Sequence, residues 1–135
     1  DPENWRAGRS VLVAESNAQA DEYVAQAEGG FRHYFHYLRT LEAKRNMMDA
    51  TVQEREEFVA ARVNEALEDQ VIAGDADTVL DRLIAYREEV GPFGTLLMTG
   101  HDWDDKDLWR GSMRRLAEDV MPRLSQHAET TDPRY

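Results

Sequence analysis

His101-Asp102-Trp103 follows closely on the apolar run Thr95-Leu96-Leu97-Met98, with Thr99-Gly100 between them. An imidazole just past the end of a short apolar strand could hydrogen-bond a substrate oxygen or carry a proton, and the indole two residues on could supply an apolar wall. The plainer reading is a turn in which Asp102 or Asp104 caps the following helix and Trp103 packs on that helix's stripe. A second set, His33, His36 and Tyr37, falls on one face of a helical segment, away from its main apolar stripe. One apolar face is enough to dock a helix. A further aromatic face could therefore line a pocket, close over one as a lid, or form a subunit contact. Two His at i, i+3 could also ligate a metal, but no E-x-x-H or H-E-x-x-H pattern supplies the remaining ligands, and no metal site is assigned.

Other chemistry finds less support. Ser10, Ser16 and Ser112 lack the G-x-S-x-G context of a nucleophilic serine. Neither a G-x-G-x-x-G fingerprint nor a Walker-type loop is present. The 135 residues contain no Cys, so disulfides, thiolate metal sites and a Cys nucleophile are excluded; the composition is compatible with a cytoplasmic location. The net charge of −11 repels phosphate backbones, and no Lys/Arg stripe offsets it, so nucleic acid is not expected as a partner. No apolar stretch approaches the ~18 residues of a membrane span, and no membrane partner is expected. Glu54, Glu56 and Glu57 crowd the first turns of a helix, where they suit its dipole and read as a solvated face. Met47-Met48 lies in a break between helices and reads as packing or an adaptable apolar contact.

The elements that must position these residues follow from periodicity and punctuation. Residues 1–9 read as a polar lead-in, and Ser10–Ala14 as a strand rich in β-branched residues. A helix over about 18–28 follows, capped by Ser16 or Asn17 and stopped by Gly29-Gly30. The spacing of Phe31, Tyr34, Phe35, Leu38 and Leu41 predicts a helix over 31–45. Thr51-Val52-Gln53-Glu54 has the form of a capping box and opens a helix to about 73, with Gly74 as its C′ residue. Asp75 or Asp77 starts the next helix, which Gly91-Pro92 ends after Val90. The second strand covers about 93–98, where Gly94 could admit a close approach of backbone or ligand. A last helix is expected over about 105–124, with residues 125–135 as a frayed tail.

This order is βαβα, and both strands are apolar throughout rather than alternating. Such strands belong in a parallel sheet covered by helices. The second, Thr95–Met98, is expected to be buried on both faces. Two parallel strands cannot bury themselves, because each leaves an unpaired edge. The missing strands must come from further sequence or from a second copy of the chain. The expectation is therefore the C-terminal part of a larger α/β protein.

Three stretches carry a family resemblance. Arg9-Ser10-Val11-Leu12-Val13-Ala14-Glu15-Ser16 before an Ala-rich helix is similar to the VAET strand–helix of bacterial-luciferase-like, flavin-dependent monooxygenases. Gly74-Asp75-Ala76-Asp77-Thr78-Val79, with Gly91 and the Gly94–Met98 strand after it, resembles that family's GDPDTV segment. Gly100-His101-Asp102-Trp103-Asp104, then Arg110, Ser112, Leu116-Ala117-Glu118 and Val120-Met121-Pro122, resembles its closing loop and helix. The match is nearest the limonene- and diketocamphane-type branch and covers most of 9–124.

The resemblance implies an α/β fold, the C-terminal part of a TIM-type (β/α)8 barrel. Such a barrel takes about 250 residues, of which this chain would supply the last two strands. Residues 1–124 would be the barrel segment, with 18–73 as a helical insertion bordering the active site and able to act as a lid. By the same resemblance the whole enzyme would be an oxidoreductase using reduced FMN, supplied by a separate flavin reductase, and dioxygen to oxygenate a small apolar substrate. Most flavin-holding residues of the family lie upstream, so none is carried over and the isolated segment is expected to be inactive. The candidate pocket or lid residues are His101, Trp103, His33, His36 and Tyr37. The alternative is a non-catalytic helical oligomerisation or interaction module.

Overall fold

A computed structural model describes residues 4–26, 28–101 and 104–131. The chain opens with strand β1 (Arg6–Val13), then helices α1 (Asn17–Ala25), α2 (Gly30–Asn46) and α3 (Val52–Gln70). Strand β2 (Val71–Gly74), helix α4 (Ala76–Val90) and strand β3 (Thr95–Met98) follow. Helix α5 (Lys106–Arg115) continues through a wider, π-type turn at Leu116–Val120 into α6 (Met121–Thr131). The three strands form one parallel sheet in the order β2-β1-β3. The parallel α/β reading holds, and among the described residues the strands number three where two were expected.

The register is staggered. Residues Arg6–Arg9 of β1 pair with Thr95–Met98, whereas Ser10–Val13 pair with Val71–Gly74 on the other side. β1 therefore begins four residues before its apolar half, inside what reads as a polar lead-in, because its first half pairs through backbone while its side chains stay partly exposed. Beyond the end of β3, α5 takes over the open edge of β1. The Val13 N–H donates to Ser112 Oγ at 2.8 Å, and Arg115 Nη1 donates to the Val13 carbonyl at 3.3 Å. Ser112 is fully buried, and its hydroxyl replaces a missing strand partner.

β2 is a correction to the sequence pattern, which extends the preceding helix to about 73. Helical φ/ψ would break the ladder that Val71–Gly74 make with β1, and tertiary pairing overrides the local periodicity there. Gly74 then serves a close approach rather than a helix end. A Cβ at this position would lie 2.8 Å from Asn17 Oδ1 and 2.8 Å from Thr78 Cγ2. Asn17 Oδ1 in turn accepts from the Asp75 N–H, and Asp75 caps α4. β3 is also not buried on both faces: Leu97 is 57% exposed and the strand's outer side has no neighbour among the described residues. Residues 125–131, expected as tail, are helical, since Leu124 and the preceding Val120 anchor α6 on the core. The remaining signals translate directly. Thr51 and Glu54 form a capping box, Ser16 caps α1, and Gly91 adopts φ 87° where α4 stops.

Side-chain alternation along the strands divides the core into two layers. Leu12 and Val71 face Tyr23, Phe31, Phe35, Val63 and Trp109 under α1, α2, α3 and α5. Val11, Val13 and Ile72 face Val79, Leu83, Val120 and Leu124 under α4 and α6. Ser10 and Leu12 share the first face, which places the Ser10 hydroxyl under α2 and the loop after β3.

Candidate functional site: an aromatic cleft beyond strand β3

The loop after β3 turns His101 onto the N-terminal half of α2. There Gly30, His33, Tyr34 and Tyr37 of α2 and Gly100-His101 line an open cleft of about 460 Å³. The imidazole meets Phe31 edge-on at 5.3 Å between ring centroids, Phe35 at 6.2 Å, and Tyr34 at 4.3 Å. Beneath it, Ser10 Oγ lies 2.8 Å from His101 Nε2. Ser10 is 4% exposed on the central strand. A substrate cannot reach it, so the pair is no nucleophilic dyad despite its geometry. His101 Nδ1 has no solvent contact. His101 thus lines the cleft with its Nε2 directed to Ser10 on the buried strand.

Of the sequence candidates, His101, His33 and Tyr37 come together. His36 does not: it points with Thr40, Lys44 and Arg55 into a separate groove of about 420 Å³ between α2 and α3. Among the described residues no group of three or more His, Asp or Glu converges. Trp103 lies outside the described residues. Met47 packs on the core, whereas Met48 is 77% exposed. The helix α2 stripe behaves unevenly. Phe31 and Phe35 are buried, but Tyr34, Leu38 and Leu41 remain partly exposed beside Tyr37.

Next to the cleft is a polar knot that sequence reasoning missed. Tyr23 Oη donates to Asp104 Oδ1 at 2.8 Å and accepts from Trp109 Nε1 at 3.2 Å. Asp104 also accepts from the backbone N–H of Gly30 at 3.3 Å and of Asp105 at 3.0 Å. The helix cap is therefore Asp105, which accepts from the Leu108 N–H, while Asp104 ties the loop to the start of α2. The only sequence signal was a surplus of Asp over what one cap needs. Burial pushes the Tyr23 hydroxyl up, and its bond to Asp104 adds to this. For Asp104, burial acts upward too, but hydrogen bonds from Tyr23 and the Asp105 and Gly30 amides outweigh it and hold the carboxyl below its usual range.

A carboxylate with a depressed folded-state pKa contributes stability above its unfolded value, near 3.9, and that contribution fades as pH falls through the folded value. Asp104→Asn is expected to destabilise the protein at neutral pH by about 1 kcal/mol, since the carboxylate stands partly in solvent. The gap from the wild type should close below about pH 4. Urea unfolding across this range checks it; a gap that does not narrow in acid counts against the ionised knot.

The comparisons with known proteins agree on one class. No family model matches the chain. A 126-residue stretch is 30% identical to 4-hydroxyprotoasukamycin monooxygenase of Streptomyces nodosus subsp. asukaensis, covering 93% of this chain and 32% of that one. Over 117 residues the chain is 26% identical to 3,6-diketocamphane 1,6-monooxygenase of Pseudomonas putida, covering 85% of this chain and 31% of that one. The fold superposes on the oxygenating constituent of 3,6-diketocamphane monooxygenase from the Pseudomonas putida CAM plasmid, a type II Baeyer–Villiger monooxygenase in complex with FMN. That superposition has a TM-score of 0.68 at 26% identity and covers 90% of this chain and 34% of the other. The chain's homologues are thus flavin-dependent monooxygenases of the bacterial-luciferase-like family. Within that class they are of the diketocamphane type, and the chain spans about a third of the length of the relatives it matches.

Proposed function

We propose that the chain is part of an FMN-dependent monooxygenase that uses reduced FMN and dioxygen to oxygenate an apolar substrate. In this reading it is the C-terminal part of a TIM-type barrel, completed by further strands and served by a separate reductase. The observation that carries it is an aromatic cleft at the carboxyl end of β3, in a parallel sheet whose outer strand stands open. In barrels of this kind the active site lies at the carboxyl ends of the strands.

Reduced FMN, when bound, supplies the electrons with which dioxygen is activated for transfer of one oxygen atom. The cleft's residues fit a planar ring or a hydrocarbon. Gly30, His33, Tyr34, Tyr37, Gly100 and His101 include neither Arg nor Lys, so a phosphate would be held elsewhere. His101, backed by Phe31 and Phe35, forms a fixed wall. Tyr34 and Tyr37 stand on α2, whose exposed side can close over a bound substrate and exclude water. The helical region 31–70 then serves as the lid.

A chimera carrying residues 4–131 in place of the homologous third of the Pseudomonas putida monooxygenase tests this. It is expected to bind reduced FMN and to consume dioxygen in step with substrate oxygenation. The separate 135-residue chain is expected to bind FMN weakly or not at all. A tight stoichiometric flavin complex of the separate chain, or a folded chimera without flavin binding, overturns the reading. The exposed row Tyr34, Tyr37, Leu38 and Leu41 favours a second reading, a helical interaction module. Sedimentation separates the two: a stable, cooperatively melting oligomer of defined size with no flavin affinity in the chimera would support the module.

A further inference from the structure

Helix α2 carries most of the cleft, yet it has no side-chain cap of its own. Gly29 stands at its N-cap position. A Cβ at Gly29 would lie 3.0 Å from Gln26 Cβ and 3.2 Å from the Gln26 carbonyl oxygen, so the end of α1 leaves little room for a capping residue. Gly30, the first helical residue, is buried, and an N–H at that position finds no acceptor within its own helix. Asp104 Oδ2, from 74 residues further along the chain, accepts that N–H at 3.3 Å. Asp104 Oδ1 accepts from the Tyr23 hydroxyl at 2.8 Å and from the Asp105 N–H at 3.0 Å. Asp105 is itself the N-cap of α5. The Asp104 carboxylate therefore stands against the N-terminal ends of two helices, where their dipoles favour negative charge.

We infer that Asp104 is a positioning residue for the cleft: its carboxylate caps α2 from across the fold and so sets the distance between the two cleft walls. One wall is α2, with His33, Tyr34 and Tyr37; the other is the loop after β3, with Gly100 and His101. Asp104 lies at the far end of that loop, and its hold on Gly30 joins the walls where α2 begins. The contact of the Tyr34 and His101 rings, 4.3 Å between centroids, joins them again one turn further on. A carboxylate suits this place better than an amide, because the Tyr23, Asp105 and Gly30 groups are all donors and both oxygens are engaged. An Asn side chain could keep the Tyr23 and Asp105 bonds through its carbonyl oxygen, but its amide group would then face the Gly30 N–H, donor against donor. Asparagine therefore releases α2 while leaving the loop anchored. That the spacing serves a substrate rests on the monooxygenase reading; the cap itself does not.

NMR of the 135-residue chain tests the assignment, with the His101 ring signals identified by their loss in His101→Phe. In the wild type the Gly30 amide should be protected from hydrogen exchange, and the Tyr34 and His101 rings should give mutual cross-peaks. In Asp104→Asn the Gly30 amide should exchange about tenfold faster, the factor for losing one hydrogen bond to a charged group. The Tyr34–His101 cross-peaks should weaken in the same variant. Leu83→Ala, which empties a site in the other core layer, controls for general loosening. It should leave both readouts at their wild-type values, since an amide at a helix end exchanges by local opening under native conditions. An unprotected Gly30 amide in the wild type, unmoved readouts in a folded Asp104→Asn variant, or equal changes in Leu83→Ala overturns the inference. If Asp104→Asn does not fold, the wild-type protection of Gly30 decides. Flavin binding by the chimera is a separate measurement, so failure of the monooxygenase reading and failure of this assignment appear in different experiments.

Discussion

Phe31→Ala is expected to lower the unfolding free energy by about 3–5 kcal/mol, the range for emptying a large buried aromatic site. Phe31 is 1% exposed and meets three rings edge-on: Tyr23 at 5.6 Å, Trp109 at 5.6 Å and His101 at 5.3 Å. Its removal takes away transfer energy, the ring–ring contacts, and the surface on which His101 rests. Collapse is hindered because Tyr23 and Trp109 are held by hydrogen bonds to each other and to Asp104. Urea unfolding measures the loss, and the His101 ring signals should move in the same variant. A loss below about 1 kcal/mol, or a silent imidazole, would mean that core and cleft are not coupled through this ring.

Leu83→Ala is expected to cost about 2–5 kcal/mol, again by transfer plus cavity. Leu83 is fully buried, but in the other layer, with Val11, Val13, Ile72 and Val79. The contrast with Phe31 is the informative part. Because the sheet separates the layers, Leu83→Ala should destabilise without shifting the His101 signals. The double variant with Phe31→Ala should then add to within about 0.5 kcal/mol, as for sites without shared partners. A strong departure from additivity would show that β1 transmits packing changes between its faces.

The helix stops and starts were legible in the residues because they depend on local chemistry. Thr51 and Glu54 satisfy each other's backbone donors wherever the chain lies, and Gly91 can take φ 87° with no help from neighbours. The apolar half of β1 was legible for a similar reason, since Val11, Leu12 and Val13 suit a strand covered on both faces. β2 was not, because Val71 also continues the spacing of α3 and nothing local says that its backbone will pair with Ser10. The exposure of β3 was equally hidden: an apolar strand at an open edge reads like a buried one.

At the cleft, the sequence marked His33, Tyr37 and His101 by type and by their distance from the main stripes. It could not separate His36 from them. At i, i+3 the two side chains stand only about 60° apart on the helix, the same broad face in sequence, yet that is enough to send His33 and His36 to different clefts once the helix is docked. Nor could it pair Ser10 with His101 or Tyr23 with Asp104, contacts that span 91 and 81 residues.

By itself the sequence determined the class of fold, parallel α/β, and the residue types available to a pocket, because both follow from side-chain pattern and turn chemistry along the chain. Tertiary structure alone decided how the described strands pair, which side of β3 has no neighbour among the described residues, and which imidazole joins Ser10. Those depend on backbone hydrogen bonds and ring contacts between segments far apart in the chain, where no local preference selects the partner.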